Sequence, residues 1–398
     1  MRKRVVAGLV YLLTPLVMMT TWSGLATAVA KEEIVFAETA LITGVFGFAG
    51  GELHEGIVDY INYRNENGGI RGHKIKHVFE DCGYKVDCSI ATFKKLSAEH
   101  SPLFYSGDST GFMKAVAPEL KNSKNMLMSG VSFASELTDE VNYPRSFIAG
   151  PSYTDQMAIL INFAAKQKPG AKIALVHSDT GFGRDPIAPA TALVEELGLD
   201  LVEVITTKAG NVDVSTDVLK LRRKKPDYVI FHGYVLSPIN EFMSQMKALR
   251  MKTQFMGTYW SSSELMVMKA KDAADGYMGV MHLNYFDMET SPGKEWEAMK
   301  AYNAKVNPDK TNRPNFYMFG WFQTMLWAEI IERTIDAGLP LTHDNLRNSL
   351  NSIKDWDTGG IASIPITVRN NSIPVARVFR VNAAEGQYES VSDVIEIQ

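Results

Sequence analysis

Cysteine is almost missing from this sequence: 398 residues hold two, Cys82 and Cys88. The EDCGYKVDC stretch that carries them offers too few ligands for a metal site. Long apolar runs are missing as well. Beyond the opening residues, none reaches the roughly 18 that a membrane-crossing helix needs. Positive charge is not in excess, with 41 Lys and Arg against 45 Asp and Glu, which gives no reason to expect nucleic acid. The one basic cluster, Arg222-Arg223-Lys224-Lys225, precedes Pro226 at an expected helix end, where cations suit the helix dipole. Signatures of catalysis are scarce. No GxSxG elbow occurs, and GFG at 181–183 lacks the GxGxxG pattern of a dinucleotide loop after a first strand. GDSTG at 107–111 superficially resembles hydrolase signatures, but no histidine or acid stands at a spacing that marks it as a partner. Triads assemble from distant residues, so a hydrolase stays open as an alternative. His73 and His77 are four apart, yet HKIKHVFE alternates as a strand does, and both are expected on its solvated face with no metal.

What is present begins with a leader. Arg2, Lys3 and Arg4 are followed by an apolar run to Met19 and by small residues, with cleavage patterns at Ala26-Thr27-Ala28 and Ala28-Val29-Ala30. Residues 1–30 read as a secretory signal peptide. Its removal takes three basic residues and no acid, leaving 38 against 45, a net charge of −7. An oxidising destination makes a Cys82–Cys88 disulfide the expected pairing, pinning one strand–helix loop.

About 370 residues then remain, more than one typical core, so two domains are expected. Apolar strands at 34–37, 75–79, 102–106 and 126–131 alternate with helices at 52–65, 89–100 and 112–121. The alternation restarts with strands at 172–177, 201–206, 228–232, 254–257 and 277–283, separated by helices at 156–166, 187–197, 214–224, 239–251 and 264–273. Such order predicts an α/β fold of two Rossmann-like lobes, each a parallel sheet with right-handed crossovers. Helices at 294–306, 316–337 and 344–353 follow, and then a β tail of ITVRN, VARVFRV and SVSDVIEI. The expected division is 31–150 with about 284–355 for the first lobe, and 151–283 with about 356–398 for the second. Several short connections between lobes permit a hinge, with the ligand cleft between them. Hydroxyl- and glycine-rich loops, GDSTG and SGVSFASE, follow two strands of the first lobe. In a parallel sheet they face the crevice, where a helix N-terminus and hydroxyls can hold a carboxylate, although the same residues also serve as plain helix caps.

TGVFGFAGGELHEGI, INYRNENGGIRGHKI, the Cys82 region, LMSGVSFASELT, FIAGPSYTDQ, HSDTGFGRD and FHGY, together with the element order, resemble the leucine/isoleucine/valine-binding family of ABC-transporter periplasmic proteins, with the type I periplasmic binding protein fold. The resemblance runs from about Ile34 to the C-terminus, and the helix ending in Asn-x-x-Gly-Gly-Ile-x-Gly is its most specific part. It implies capture of a small solute in the periplasm by a monomer without a cofactor. Delivery would be to permease subunits with cytoplasmic ATPases, signalled by lobe closure. It implies ligand contacts from Ser109 and Thr110 after the third strand, from Ser132-Phe133 where relatives carry Ala-Thr, from Phe46 or Phe48 as a cover, and from Phe182 and Tyr234 in the second lobe.

FMGTYWSSS, residues 255–263, departs from that pattern. Amino-acid binders of the family carry an acid two residues after the glycine, paired with the ligand ammonium. Here Tyr259 stands there, with Trp260 beside it, and Asp108 and Asp179 are the other acids considered. A desolvated ammonium without a partner charge costs several kcal/mol. The expectation is a hydrophobic or aromatic carboxylate without an α-ammonium. An aliphatic amino acid with a rearranged site, or a short polar solute, is the alternative. A sensory ligand-binding domain would share these features, although receptors usually carry a transmembrane segment.

Overall fold

Near-continuous apolar runs become strands covered on both faces, as the alternation predicts. The computed structural model describes residues 1, 31–121, 125–233, 236–288 and 293–397. The expected signal peptide and Tyr234 lie outside the described residues. In the first lobe, β1 (Ile34–Ala40), β2 (Ile75–Asp81), β3 (Phe104–Gly107) and β4 (Leu127–Gly130) form a parallel sheet of order β2-β1-β3-β4. Helices α1 (Gly47–Glu66), α2 (Val86–His100) and α3 (Thr110–Leu120) connect them.

The second lobe opens with α4 (Tyr153–Gln167) and β5 (Lys172–Ser178), followed by α5 (Gly181–Arg184), α6 (Ile187–Glu196) and β6 (Asp200–Thr207). Then come α7 (Ser215–Lys224), β7 (Tyr228–His232), α8 (Ile239–Ala248), β8 (Gln254–Gly257), α9 (Glu264–Ala270) and β9 (Met278–Met281). The chain then returns: α10 (Lys294–Val306), α11 (Asn315–Asp336) and α12 (His343–Asn351) pack with α1 and β4 of the first lobe. The tail comes back once more as β10 (Val375–Asn382), β11 (Gln387–Ser390) and β12 (Ile395–Glu396). The second sheet runs β11-β10-β9-β8-β7-β5-β6, with β12 on β10; β10 is antiparallel to β9, β11 and β12, and β5 to β9 pair parallel.

Three expectations need correction. ITVRN makes only isolated bridges, Trp356 to Ile366 and Arg369 to Ser372, because it lies in a crossing between lobes rather than in a sheet. Helix α1 starts at Gly47, five residues before the expected position, and runs through Gly50 and Gly51. Glycine is required there, since a Cβ on Gly50 would stand 2.0 Å from the Leu41 carbonyl oxygen. His77 is not solvated: its side chain is 11% exposed and Nε2 lies 3.2 Å from Glu38 Oε2.

Helix α1 lies along α11, the most buried helix among the described residues, apolar around nearly its whole circumference. The two backbones touch. A Cβ on Gly56 would stand 2.3 Å from the Tyr317 carbonyl oxygen, and one on Gly320 would stand 2.1 Å from that of Leu53. At the end of α1, Gly69 has φ +73° and hydrogen-bonds back to Arg64 O at 2.7 Å, which stops the helix and turns the chain into β2.

Glu38 is buried under α1 and β2. Burial alone would raise its pKa. His54 Nδ1 at 2.8 Å and His77 reverse that and hold the carboxyl at about 2. The same contact raises His54 above 6.5, against the burial that lowers it. The carboxylate's contribution is therefore complete above pH 4.5 and is lost as pH falls through 2. That of His54 is complete below 6.5 and fades as pH rises through its raised value. Glu38→Gln is expected to lose up to roughly 3 kcal/mol near pH 6, with the difference from wild type vanishing toward pH 2. Urea unfolding across that range measures it. A pH-independent difference would contradict the assignment.

Three crossings tie the lobes side by side. Ile148 N donates to Asn371 O at 2.8 Å, Ile373 N to Gly150 O at 3.1 Å, Asn284 N to Ile361 O at 3.0 Å and Ser363 N to His282 O at 3.0 Å. Among the described residues no helix is long and apolar enough to cross a membrane, and no cluster of His, Cys, Asp and Glu is arranged to hold a metal.

Candidate functional site

The carboxyl ends of both sheets face each other across a cleft. Between them lies a narrow cavity of about 550 Å³, part of it open to solvent. It is a slot rather than a chamber. Its first-lobe wall is Leu41, Phe46, Phe48, Leu53, Tyr84, Thr110, Val131 and Phe316; the second lobe adds Tyr153, Phe182, Gly233 and Trp260. No charged side chain lines it among the described residues.

Each aromatic has a local reason for its place. Phe46 closes a single 3-10 turn before α1, and Phe48 sits in the first turn of α1. Tyr84 lies in the loop after β2 with φ +68°, between Cys82 and Cys88, which are bonded with Cα atoms 5.5 Å apart. The disulfide thus anchors the loop that presents Tyr84, whose ring meets Phe46 at 4.5 Å. Phe182 sits in the short α5 turn, capped by Thr180 Oγ1, which accepts from Gly183 N at 3.0 Å. His232, at the end of β7, holds that turn: Nε2 is 3.0 Å from Phe182 O and Nδ1 is 2.8 Å from Thr258 Oγ1. Burial pushes its pKa down to about 3, so the ring is neutral.

Trp260 is the second lobe's main contribution. Its indole is sandwiched between Phe133 (5.3 Å, 5° between planes) and Phe316 (5.7 Å, 12°), both of the first lobe. Its Nε1 donates to Val131 O at 2.9 Å. The Ser135 hydroxyl adds a second bridge, donating to Asp185 Oδ2 at 2.8 Å.

The polar groups of the slot are few. Thr110, the first residue of α3, faces it, with Oγ1 2.8 Å from Ser132 Oγ. Thr110 N and Gly111 N belong to the first turn of α3, where helix amides have no intrahelical acceptor. The Tyr153 hydroxyl donates to Val131 O at 3.4 Å.

Of the expected site residues, Phe46, Phe48, Thr110, Phe182 and Trp260 border this cavity. The others do not. Ser109 caps α3, Oγ accepting from Phe112 N at 3.2 Å. Asp108 is fully buried and accepts from Ser89 Oγ at 2.7 Å and Ser109 Oγ at 3.1 Å; burial raises its pKa to about 6 despite those bonds. Ser132 stands behind Thr110, and Phe133 behind Trp260. Asp179 is half exposed and paired with Arg184 at 2.6 Å. Tyr259 is fully buried, packed on Phe133, His282 and Phe319, with its hydroxyl 3.4 Å from Asn315 O. Sequence reasoning missed Tyr84, Tyr153 and Phe316. Tyr153 was within reach, since FIAGPSYTDQ places it at a helix start after the crossing; Phe316 comes from a distant helix and carries no comparable signal.

A Leu/Ile/Val/Thr-binding protein from Salmonella typhimurium is 22% identical over 255 residues, 64% of this chain and 69% of that protein. A leucine-, isoleucine-, valine-, threonine- and alanine-binding protein from Pseudomonas aeruginosa is 21% identical over 276 residues, 69% and 73% of the two chains. Among solved structures, a branched chain amino acid ABC transporter from Thermus thermophilus with bound valine superposes with a TM-score of 0.84 at 21% identity, covering 92% of this chain and 97% of the other. A fatty acid ABC transporter substrate-binding protein from Thermomonospora curvata gives 0.78 at 16% identity, covering 92% and 93%. These likenesses establish the type I periplasmic binding protein fold. Residues 39–386 match the family model described as periplasmic binding protein, and the chain belongs to that family of non-enzymatic transport receptors.

Proposed function

We propose that this protein is the solute-binding component of an ABC uptake transporter and that it carries a hydrophobic carboxylate without an α-ammonium. One observation carries the ligand class: the slot is walled by aromatic and aliphatic side chains, with no charged one among those described. An ammonium placed there would be desolvated without a partner, at a cost of several kcal/mol. The nearby acids are committed elsewhere, Asp108 to Ser89 and Ser109, Asp179 to Arg184, and Asp185 to Ser135. A carboxylate needs less. Thr110 and the first amides of α3 supply donors at the positive end of a helix. The apolar remainder lies against Trp260, Phe182 and Phe48, where each well-covered ring contributes a large apolar area. The fatty acid transporter protein among the structural neighbours supports a carboxylate with an apolar body. The names of the curated relatives favour branched-chain amino acids as the second reading. On either reading, closure of the lobes presents the loaded protein to a permease served by cytoplasmic ATPases.

A thermal-shift comparison separates the two. Phenylacetate, 3-phenylpropanoate and octanoate are expected to raise the melting temperature by several degrees; ligand at about 100 times its Kd adds roughly 2.7 kcal/mol. Leucine and valine are expected to leave it unchanged. A shift with leucine and none with the acids would overturn the ligand class and return the protein to its relatives' specificity.

A further inference from the structure

Phe46 and Phe48 border two cavities. On their other side lies a second hollow of about 610 Å³, part of it open to solvent. Its walls are Val45, Phe46 and Phe48 from the first lobe and Ala209, Gly210, Leu236 and Ser237 from the second. Ser237 turns its hydroxyl away, donating to Glu241 Oε1 at 2.8 Å, so the lining is apolar in effect. Val45 is 62% exposed and Ala209 and Gly210 are exposed as well, so the hollow opens to solvent. Apolar hollows between two lobes are a common place for small ligands to bind.

We infer that the outer hollow is a subsite for the distal apolar chain of an elongated ligand, whose carboxylate end occupies the inner slot and whose tail passes Phe46 and Phe48. The inference rests on the carboxylate reading of the slot. Three observations favour a ligand tail as the occupant. The hollow shares the rings of Phe46 and Phe48 with the ligand slot as a common wall. It is built by both lobes, so its walls meet as the lobes close on a ligand. The inner slot is narrow, while the outer hollow opens to solvent, where a chain longer than the slot can extend. Phe46 and Phe48, with ring centroids 6.3 Å apart and planes 49° from one another, then sort ligands by length: short acids stay inside and longer ones thread between lobes.

The test is calorimetric titration of the full chain with butanoate, hexanoate, octanoate and decanoate. Each added methylene is expected to tighten binding about fourfold, the transfer free energy of one buried CH₂ expressed as affinity, with the gain continuing to decanoate. Ala209→Trp and Leu236→Trp, each filling the outer hollow, are expected to bind butanoate as the wild type does and decanoate at least tenfold more weakly. Retained butanoate binding also shows that each variant is folded. A wild-type series that levels off after the shortest acids, or a full series unchanged in both variants, overturns the subsite and leaves the carboxylate reading standing. Absence of binding by every carboxylate overturns both.

Discussion

Trp260→Ala is expected to weaken ligand binding by at least about thirtyfold, the roughly 2 kcal/mol that marks a binding hot spot. Two losses combine. The indole is a wall of the ligand slot, so its removal leaves one side of the ligand uncovered. It is also the piece of the second lobe held between Phe133 and Phe316 of the first, and its Nε1 reaches Val131 O. Without it, closure loses a stacked three-ring contact and a hydrogen bond. Trp260→Phe separates these effects. It keeps a ring in the sandwich but leaves the Val131 carbonyl without that donor, and is expected to fall between wild type and alanine. Calorimetry gives the affinity, and small-angle scattering with and without ligand gives the degree of closure. A change under threefold in the alanine variant would remove Trp260 from the binding surface.

Tyr259→Glu tests the neighbouring position with the opposite result in view. If Tyr259 faced the ligand, an acid there would recruit an amino acid. Its environment instead predicts a loss of roughly 3–5 kcal/mol of stability at neutral pH, typical of a buried charge without a partner. The tyrosine is fully buried among Phe133, Phe319 and His282. The nearby Glu264 is buried as well, and burial pushes its pKa up to about 8 even though its Oε2 accepts from Asn315 N at 3.0 Å. A second carboxylate would meet the same low polarity, beside a Glu264 that burial keeps largely protonated at neutral pH. The penalty is expected to shrink as pH falls and the new carboxyl stays protonated in both states. Tyr259→Phe loses only a long hydroxyl contact and is expected to cost less than about 1 kcal/mol. Urea denaturation provides all three values. A Tyr259→Glu variant with wild-type stability and new leucine affinity would show that the residue faces the ligand after all.

These neighbours explain how far the sequence could be read. Alternating apolar runs and glycine-bearing turns carry period and punctuation, so the two sheets, most helices and the cleft between lobes were legible. That FMGTYWSSS forms part of the cleft wall was legible too. Which of its two rings faces the ligand was not. Tyr259 and Trp260 follow each other in a single 3-10 turn, and adjacent residues there point in different directions. The direction is set by Phe133, Phe316 and Phe319, which arrive from far along the chain. The same limit applies to GDSTG. Asp108, Ser109 and Thr110 look equivalent in sequence, but one is held by Ser89, one caps the helix and one faces the slot.

The contact of α1 with α11 has a bearing on how the protein is made. Gly56 and Gly320, which bring the two backbones together, are 264 positions apart. At about 5–20 residues per second, synthesis leaves roughly ten to fifty seconds between them. For most of that interval, once Gly130 has been added, the first lobe has its sheet and α1 but not the helix that covers them. The second lobe is largely complete before the first can close, even though its residues come later. Neither lobe is one uninterrupted piece of chain, so the order of assembly differs from the order of translation. Contacts over such separations favour slow folding, and the uncovered face of α1 is where a nascent chain of this protein is most exposed to aggregation or to capture by a chaperone.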